Sequence, residues 1–193
     1  MTDFTFFILH GFYHVLDYAA IDHILFFIAL TIVYNFKNWK KALLLITFFT
    51  IGHSFTFALS AYNIIDINVD LVEFLIPVTI LITLLLNIYT SLKNNNKLNN
   101  TNIYFALGFG FIHGLGFSNY FKILLDKTDD KLIPLLKFAL GIEFAQIIIV
   151  LLVLLLSHFA IRFFKIKKKY WVITISIFVI LKILPMLYYR YPF

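Results

Sequence analysis

The chain contains no cysteine, and this absence already restricts its chemistry. Disulfides and thiolate ligands are excluded, so any metal site must be built from nitrogen and oxygen donors. Charged residues are also scarce, at 13% of the 193 residues, whereas 62% are hydrophobic, including the 19% that are aromatic. One small core cannot bury that much apolar surface, so lipid must cover the excess. The composition therefore predicts a membrane protein.

Nucleic-acid binding is the function that the net charge of +6 would otherwise suggest. The sequence lacks the patterned basic face that this function needs, because its Lys and Arg residues lie in short loops between apolar segments. Such cations are typical topology signals of membrane proteins. We therefore expect the lipid bilayer, and no nucleic acid, as a partner of the chain.

Apolar blocks of about 20 residues, the length of a membrane-spanning helix, recur along the chain. They predict a single transmembrane domain over residues 1–193, an all-α polytopic bundle of about six transmembrane helices. The six candidates are residues 18–36, 42–62, 70–92, 102–121, 133–161 and 170–189. The segment before the first candidate is too short and too polar to cross alone. We expect it to form a kinked or re-entrant half-helix on the outer side.

The loops between these spans alternate in charge from one side of the predicted bundle to the other. Loops one, three and five carry most of the cations, which the positive-inside rule assigns to the cytoplasm. These cations are Lys37, Lys40, Lys41, Lys93, Lys97, Arg162, Lys165, Lys167, Lys168 and Lys169. Both termini are then expected to face outward.

Four ionisable side chains within the predicted spans fall at a similar depth. Because a helix rises about 1.5 Å per residue, their positions place them together in the outer half of the membrane. They are His23, His53, His113 and Glu143. A charged or polar group that faces lipid is costly, so the cheaper arrangement points these groups at one another, at water or at an ion. We therefore expect them to converge.

Imidazoles beside carboxylates suit borderline divalent metals such as nickel, zinc, cobalt or iron. Asp22 directly precedes His23, and its carboxylate could ligate a metal, accept the second ring N–H of an imidazole, or cap the first span. His10 and His14 are four residues apart and share a helix face, so His14 could reach the same layer.

Glycines accompany two of the intramembrane histidines. Gly110 and Gly114 form a small-xxx-small pair near His113, which permits close approach of another helix. Gly52 directly precedes His53. Because glycine has no side chain, we also expect these positions to leave room for a ligand beside the imidazoles.

Each polar residue also has a plain structural interpretation. The intramembrane histidines could hydrogen-bond carbonyl or hydroxyl groups and so lock the helix packing. Asp22 could act only as a helix cap, and Glu143 and Gln146 could hydrogen-bond between helices. His10 and Glu73 are expected near the outer interface, and the sequence leaves open whether they and Gln146 join the site.

Five segments follow one another in a fixed order along nearly the whole chain. They are AIDHILFFIAL, FFTIGHSFTFALS, VEFLIPVTIL, FGFIHGLGFSNYF and LGIEFAQ. In these segments the chain resembles the HupE/UreJ family of small bacterial membrane proteins. The resemblance implies a multi-span protein of the bacterial inner (cytoplasmic) membrane that carries nickel or a related divalent cation. It implies importance for His14, Asp22, His23, His53, His113 and Glu143.

Three functions are compatible with this pattern. The first is a divalent-metal permease, for which nickel is the expected ion and zinc, cobalt and iron are alternatives. The second is an intramembrane metalloenzyme, such as a metal-activated hydrolase, in which the histidines hold the metal and Asp22 or Glu143 is the general base. The third is a metal-free structural protein whose polar cluster only joins helices.

Passage of an ion through the membrane would need a second polar station toward the inner side, where the sequence has few such residues. The candidates are Thr47, Thr50, Thr83 and Asn87. The sequence leaves the oligomeric state open, and a homo-oligomer is compatible with it.

Overall fold

The computed structural model describes residues 3–18, 21–65, 67–93, 101–116 and 131–192. These residues form seven α-helices and contain no β-strand. The helices are α1 (Asp3–Leu16), α2 (Asp22–Thr31), α3 (Trp39–Ala61), α4 (Val69–Leu92), α5 (Thr101–Gly116), α6 (Leu132–Arg162) and α7 (Lys168–Tyr189). The predicted all-α bundle is confirmed.

Four of the described helices are long and apolar enough to cross a membrane. They are α3 together with the short 3-10 helix before it (Phe36–Ala61), α4, α6 and α7. Three shorter apolar helices accompany them: Thr5–Leu16, Asp22–Thr31 and Ile103–Gly116. The chain is therefore a multi-pass membrane protein. The end of the predicted span 102–121 lies outside the described residues.

The predicted first span, 18–36, is not one continuous helix in the structure. Its helical part, α2, has 10 residues, which correspond to about 15 Å of helix and about half of the hydrocarbon core. Helix α2 ends at Thr31, and Asn35, shortly after it, has an extended backbone (φ −132°, ψ 173°) before the next helical turn. The hydroxyl of Thr31 donates to the carbonyl of Phe27 at 2.5 Å.

Helix α1 is the half-helix expected ahead of the first span. It packs along α6, where Gly11 faces the carbonyl of Phe138 and Gly141 faces the carbonyl of Ile8. A Cβ at either glycine would overlap these oxygens, so the two glycines permit the close approach of the helices. Helix α1 therefore lies firmly against the bundle.

Helices α3 and α5 lie side by side and run in the same direction. Gly52 of α3 faces the backbone of α5, while Gly110 and Gly114 of α5 face the backbone of α3. The predicted close approach at Gly110 and Gly114 is thus confirmed. The expectation that these glycines leave room for a ligand is wrong, because the facing backbone fills the space that a side chain would take.

Replacing Gly110 by Ala should destabilise the fold, because the added Cβ would overlap the carbonyl oxygen of Phe49. Overpacking of this kind costs about 1–3 kcal/mol, so thermal unfolding in detergent should occur at a lower temperature than in the wild type. Gly108→Ala is the matched control on the same helix, because no described atom lies within 4 Å of its Cβ position. Equal melting temperatures for the two variants would contradict the packing of α3 on α5.

Candidate metal centre

Three helices bring three imidazoles together. His14 lies in the last turn of α1, His23 in the first turn of α2, and His53 within α3. One potential ligand atom from each residue lies within 4.8 Å of the other two. The ring centroids of His14 and His23 are 4.6 Å apart, and each lies 6.1 Å from the centroid of His53. We call these residues the histidine cluster.

The imidazole of His53 is enclosed by the protein but poorly satisfied. The residue is 0% exposed, and neither of its ring nitrogens has a hydrogen-bond partner among the described residues. His23 Nε2 is likewise buried without such a partner in the described part of the chain. A buried polar atom left unpaired costs about 1–3 kcal/mol. A divalent cation, which takes the lone pairs of neutral imidazoles, would satisfy these atoms, so the donor set fits a metal ion.

Asp22 contacts the Nδ1 side of the His23 ring. Its Oδ1 accepts the backbone N–H of His23 at 2.9 Å and lies 3.1 Å from His23 Nδ1. With the ring proton on Nδ1, this contact leaves the lone pair of Nε2 for a metal. The contacts therefore favour an orienting role for Asp22, and the bond to the His23 amide also satisfies an N–H at the start of α2.

His113 lies next to the histidine cluster on α5. It is 1% exposed, and its ring centroid lies 5.6 Å from that of His23. Its Nε2 is 3.3 Å from the hydroxyl oxygen of Thr79, whereas its Nδ1 is buried with no hydrogen-bond partner in the described ranges. His113 thus adjoins the group of three ligand atoms without belonging to it.

Glu143 makes its contacts away from the histidine cluster. The hydroxyls of Thr47 and Thr50 donate to its carboxylate oxygens at 2.6 Å and 2.5 Å, and Thr50 also lies 3.0 Å from Gln146 Oε1. These residues join α3 to α6, as the interhelical interpretation of Glu143 and Gln146 predicts. Along α3, Thr50 precedes His53 by about 4.5 Å of helix and Thr47 by about 9 Å. The sequence predicts that Glu143 converges with the histidines. The contacts of the described residues instead link Glu143 to Thr47 and Thr50.

Aromatic rings close the histidine cluster on the side toward the beginning of α3. Phe26, Phe27 and Phe49 are each 0% exposed. The ring centroid of Phe49 lies 5.9 Å from that of His53 and 5.2 Å from that of His113. These three phenylalanines form an apolar floor. Of the predicted inner polar residues beyond it, the amide of Asn87 donates to the Ala29 carbonyl at 2.7 Å.

A cavity of about 600 Å³ opens at the other side of the cluster, beside His14. His10, Tyr13 and Asp17 also line it. The prediction that His10 and His14 share one helix face is therefore confirmed. The cavity gives His14 access from outside the cluster, and it carries an imidazole and a carboxylate at its wall.

Arg190 is a residue of the site that sequence reasoning missed. It follows α7, and its Nη1 donates to Asp22 Oδ2 at 3.0 Å. Its Nε lies 3.9 Å from a carboxylate oxygen of Glu73. Glu73 is thus linked to Asp22 only through Arg190. The available signal was the rarity of arginine: Arg190 and Arg162 are the only two in the sequence, and Arg190 lies on the predicted outer side.

A protein-family model described as HupE / UreJ protein matches residues 1–190, which is nearly the whole chain. No curated protein and no solved structure matches the chain significantly. The match agrees with the five segments from which the resemblance was inferred.

We expect His53→Phe to raise the melting temperature of metal-free protein while abolishing any stabilisation by added Ni²⁺. Phenylalanine is similar in shape, and it removes two buried ring nitrogens that lack partners, each of which costs about 1–3 kcal/mol. Thermal unfolding in detergent, with and without Ni²⁺, measures both effects. His158→Phe is the control, since His158 is exposed and lies near the C-terminal end of α6, outside the histidine cluster. A lower melting temperature for metal-free His53→Phe would identify His53 as a structural residue.

Proposed function

The chain belongs to the HupE/UreJ family, and from this premise we propose that it binds a divalent transition metal ion within the membrane and transports it. The family suggests transport of metals across membranes. The observation that carries the proposal is the histidine cluster, in which the fully buried His53 has two ring nitrogens without a partner among the described residues. The ion is thus a substrate and not a resident cofactor.

The donor chemistry supports nickel as the expected ion, with cobalt, zinc and iron as alternatives. Imidazole nitrogens suit all of these borderline metals, and no thiolate is present to favour softer ones. We propose that His14, His23 and His53 bind the ion and that His113 supplies a further donor. Uncharged ligands suit a transporter, because an ion must be bound firmly enough to enter and loosely enough to leave.

The surroundings of the cluster suggest how an ion passes. We propose that it enters through the cavity lined by His10 and Asp17 and reaches the cluster at His14. The apolar floor of Phe26, Phe27 and Phe49 then has to move before the ion continues. A site that is accessible from one side and closed on the other is what alternating access requires. Glu143 accepts hydrogen bonds from Thr47 and Thr50, which flank Phe49 along α3 at the level of this floor, and Glu143 is our proposed next ligand.

The sidedness of the bundle follows the same proposal. We place the protein in the bacterial inner membrane as a single domain over residues 1–193, with the cationic loops in the cytoplasm. The C-terminal end, with Arg190, then lies outside. The N-terminus is proposed to face the same outer side, as the charge pattern of the loops predicts. A homo-oligomer remains compatible with the exposed apolar helix faces.

The proposal predicts that purified wild-type protein retains Ni²⁺ through dialysis and that His23→Ala and His53→Ala each retain far less. Elemental analysis of protein in detergent measures the metal content, with His158→Ala as the control outside the cluster. The loss should be large, because each variant removes one of three potential ligand atoms. Equal metal content in all four proteins would contradict metal binding at the cluster.

An intramembrane metalloenzyme is the second candidate function, and the closed apolar floor is the observation that favours it. If the floor never moves, the cluster is accessible only from the cavity beside His14. Three histidines would then hold a metal ion that activates water for hydrolysis. Asp22 would be a constrained general base there, since both of its carboxylate oxygens already accept hydrogen bonds.

Uptake of Ni²⁺ into liposomes that contain the purified protein separates the two functions. A permease should accumulate the ion in the vesicle lumen, and His53→Ala should abolish the accumulation. Wild-type protein that binds Ni²⁺ yet moves none across the vesicle membrane would exclude transport and favour the enzyme.

A further inference from the structure

Three residues from different parts of the chain form a continuous hydrogen-bonded line that ends at the histidine cluster. Arg190, after α7, donates to Asp22 Oδ2 at 3.0 Å, and Asp22 Oδ1 lies 3.1 Å from His23 Nδ1. The opposite nitrogen of the same ring, His23 Nε2, is buried without a partner among the described residues. Arg190 is therefore connected to a proposed ligand through a single carboxylate.

The carboxylate of Asp22, between Arg190 and His23, is buried, and both of its oxygens have partners. Asp22 is 4% exposed, and its two oxygens accept three contacts: the amide and the ring of His23 on one oxygen, and Arg190 on the other. A buried carboxylate needs a compensating positive charge, and here Arg190 supplies it. Without Arg190, Asp22 would have only the imidazole of His23 and any metal ion in the adjacent cluster to balance its charge.

The position of Asp22 decides which kind of atom the cluster offers to a metal. While Arg190 holds Oδ2, the group of neighbouring ligand atoms is made of imidazoles alone. An all-nitrogen set favours nickel and cobalt, whereas an added carboxylate oxygen makes a site more suitable for harder ions such as manganese. The contact between Arg190 and Asp22 therefore bears on selectivity as well as on stability.

We propose that Arg190 is a positioning residue that determines the metal specificity of the site. It holds Asp22 on the Nδ1 side of His23 and so keeps the carboxylate out of the set of metal ligands. This inference rests on the proposed binding of a divalent metal at the histidine cluster. It adds a residue from the end of the chain to that site and assigns it a role in discriminating between nitrogen-preferring and oxygen-preferring ions.

Glu73 provides a matched control for the arginine. Its carboxylate lies 3.9 Å from Arg190 Nε, and its side chain is 49% exposed. An exposed ion pair at this distance contributes little, so Glu73→Gln should leave Arg190 in contact with Asp22. Arg190→Gln, in contrast, removes the charge that balances the buried carboxylate.

The test compares the affinities of purified protein for Ni²⁺ and Mn²⁺ by titration calorimetry in detergent. Loss of a group that orients a metal ligand typically costs about 10–100-fold in affinity. We expect Arg190→Gln to weaken Ni²⁺ binding without weakening Mn²⁺ binding, so that the ratio of the two affinities falls by about tenfold or more. Glu73→Gln should leave the ratio unchanged, and Arg190→Lys should give a smaller fall than Arg190→Gln.

A second background shows whether the effect passes through Asp22. In Asp22→Asn protein no carboxylate can be released, so adding Arg190→Gln should not change the ratio further. X-ray absorption at the nickel edge should show a new oxygen ligand in Arg190→Gln and not in the double variant. A ratio that falls equally in both backgrounds would overturn the proposal, because Arg190 would then act independently of Asp22.

The outcomes separate this inference from the proposed function. Wild-type protein that binds no Ni²⁺ would overturn both. Wild-type protein that binds Ni²⁺, with an unchanged ratio in Arg190→Gln, would overturn only the role of Arg190. If Arg190→Gln does not fold, Arg190→Lys decides by the same measurement, and an unchanged ratio in that variant likewise contradicts the proposal.

Discussion

The structure depends on imidazoles that are buried in an apolar bundle with too few hydrogen-bond partners. Such an arrangement is unfavourable by itself, since an unpaired buried polar atom costs about 1–3 kcal/mol. His53 shows the conflict most clearly: it is fully enclosed, and neither ring nitrogen has a partner in the described part of the chain. A binding site for a cation is the function that gives a reason for this cost.

Close helix packing keeps these rings from separating. Glycines bring α1 against α6 and α5 against α3 at backbone contact, so that the histidine-bearing helices have little freedom to move apart. The apolar floor of phenylalanines offers the imidazoles no polar partner on its side of the cluster. Asp22 orients the ring of His23 through Nδ1. Under the proposed function, this close packing reduces the ordering cost of binding an ion.

Sequence reasoning predicted the class of fold and the depth of the site, but not the direction of every side chain. Hydropathy and helix rise gave the common level of His23 and His53, and the structure brings them together. The same calculation gave the level of Glu143, yet it contains no information about the side of α6 on which the residue lies. Arg190 was missed for a related reason: 168 positions separate it from Asp22, and only the packing of the complete bundle brings the two together. Hydropathy predicts a full span at the ten-residue helix α2 because it does not detect where a helix breaks.

The most direct measurement is anomalous X-ray scattering, at the nickel absorption edge, from crystals of the protein grown with Ni²⁺. The proposed function predicts one strong peak among the rings of His14, His23 and His53, on the side of the apolar floor that faces the cavity. Peaks only at surface residues, or no peak at the cluster, would contradict the central claim that these imidazoles are buried in order to bind a metal.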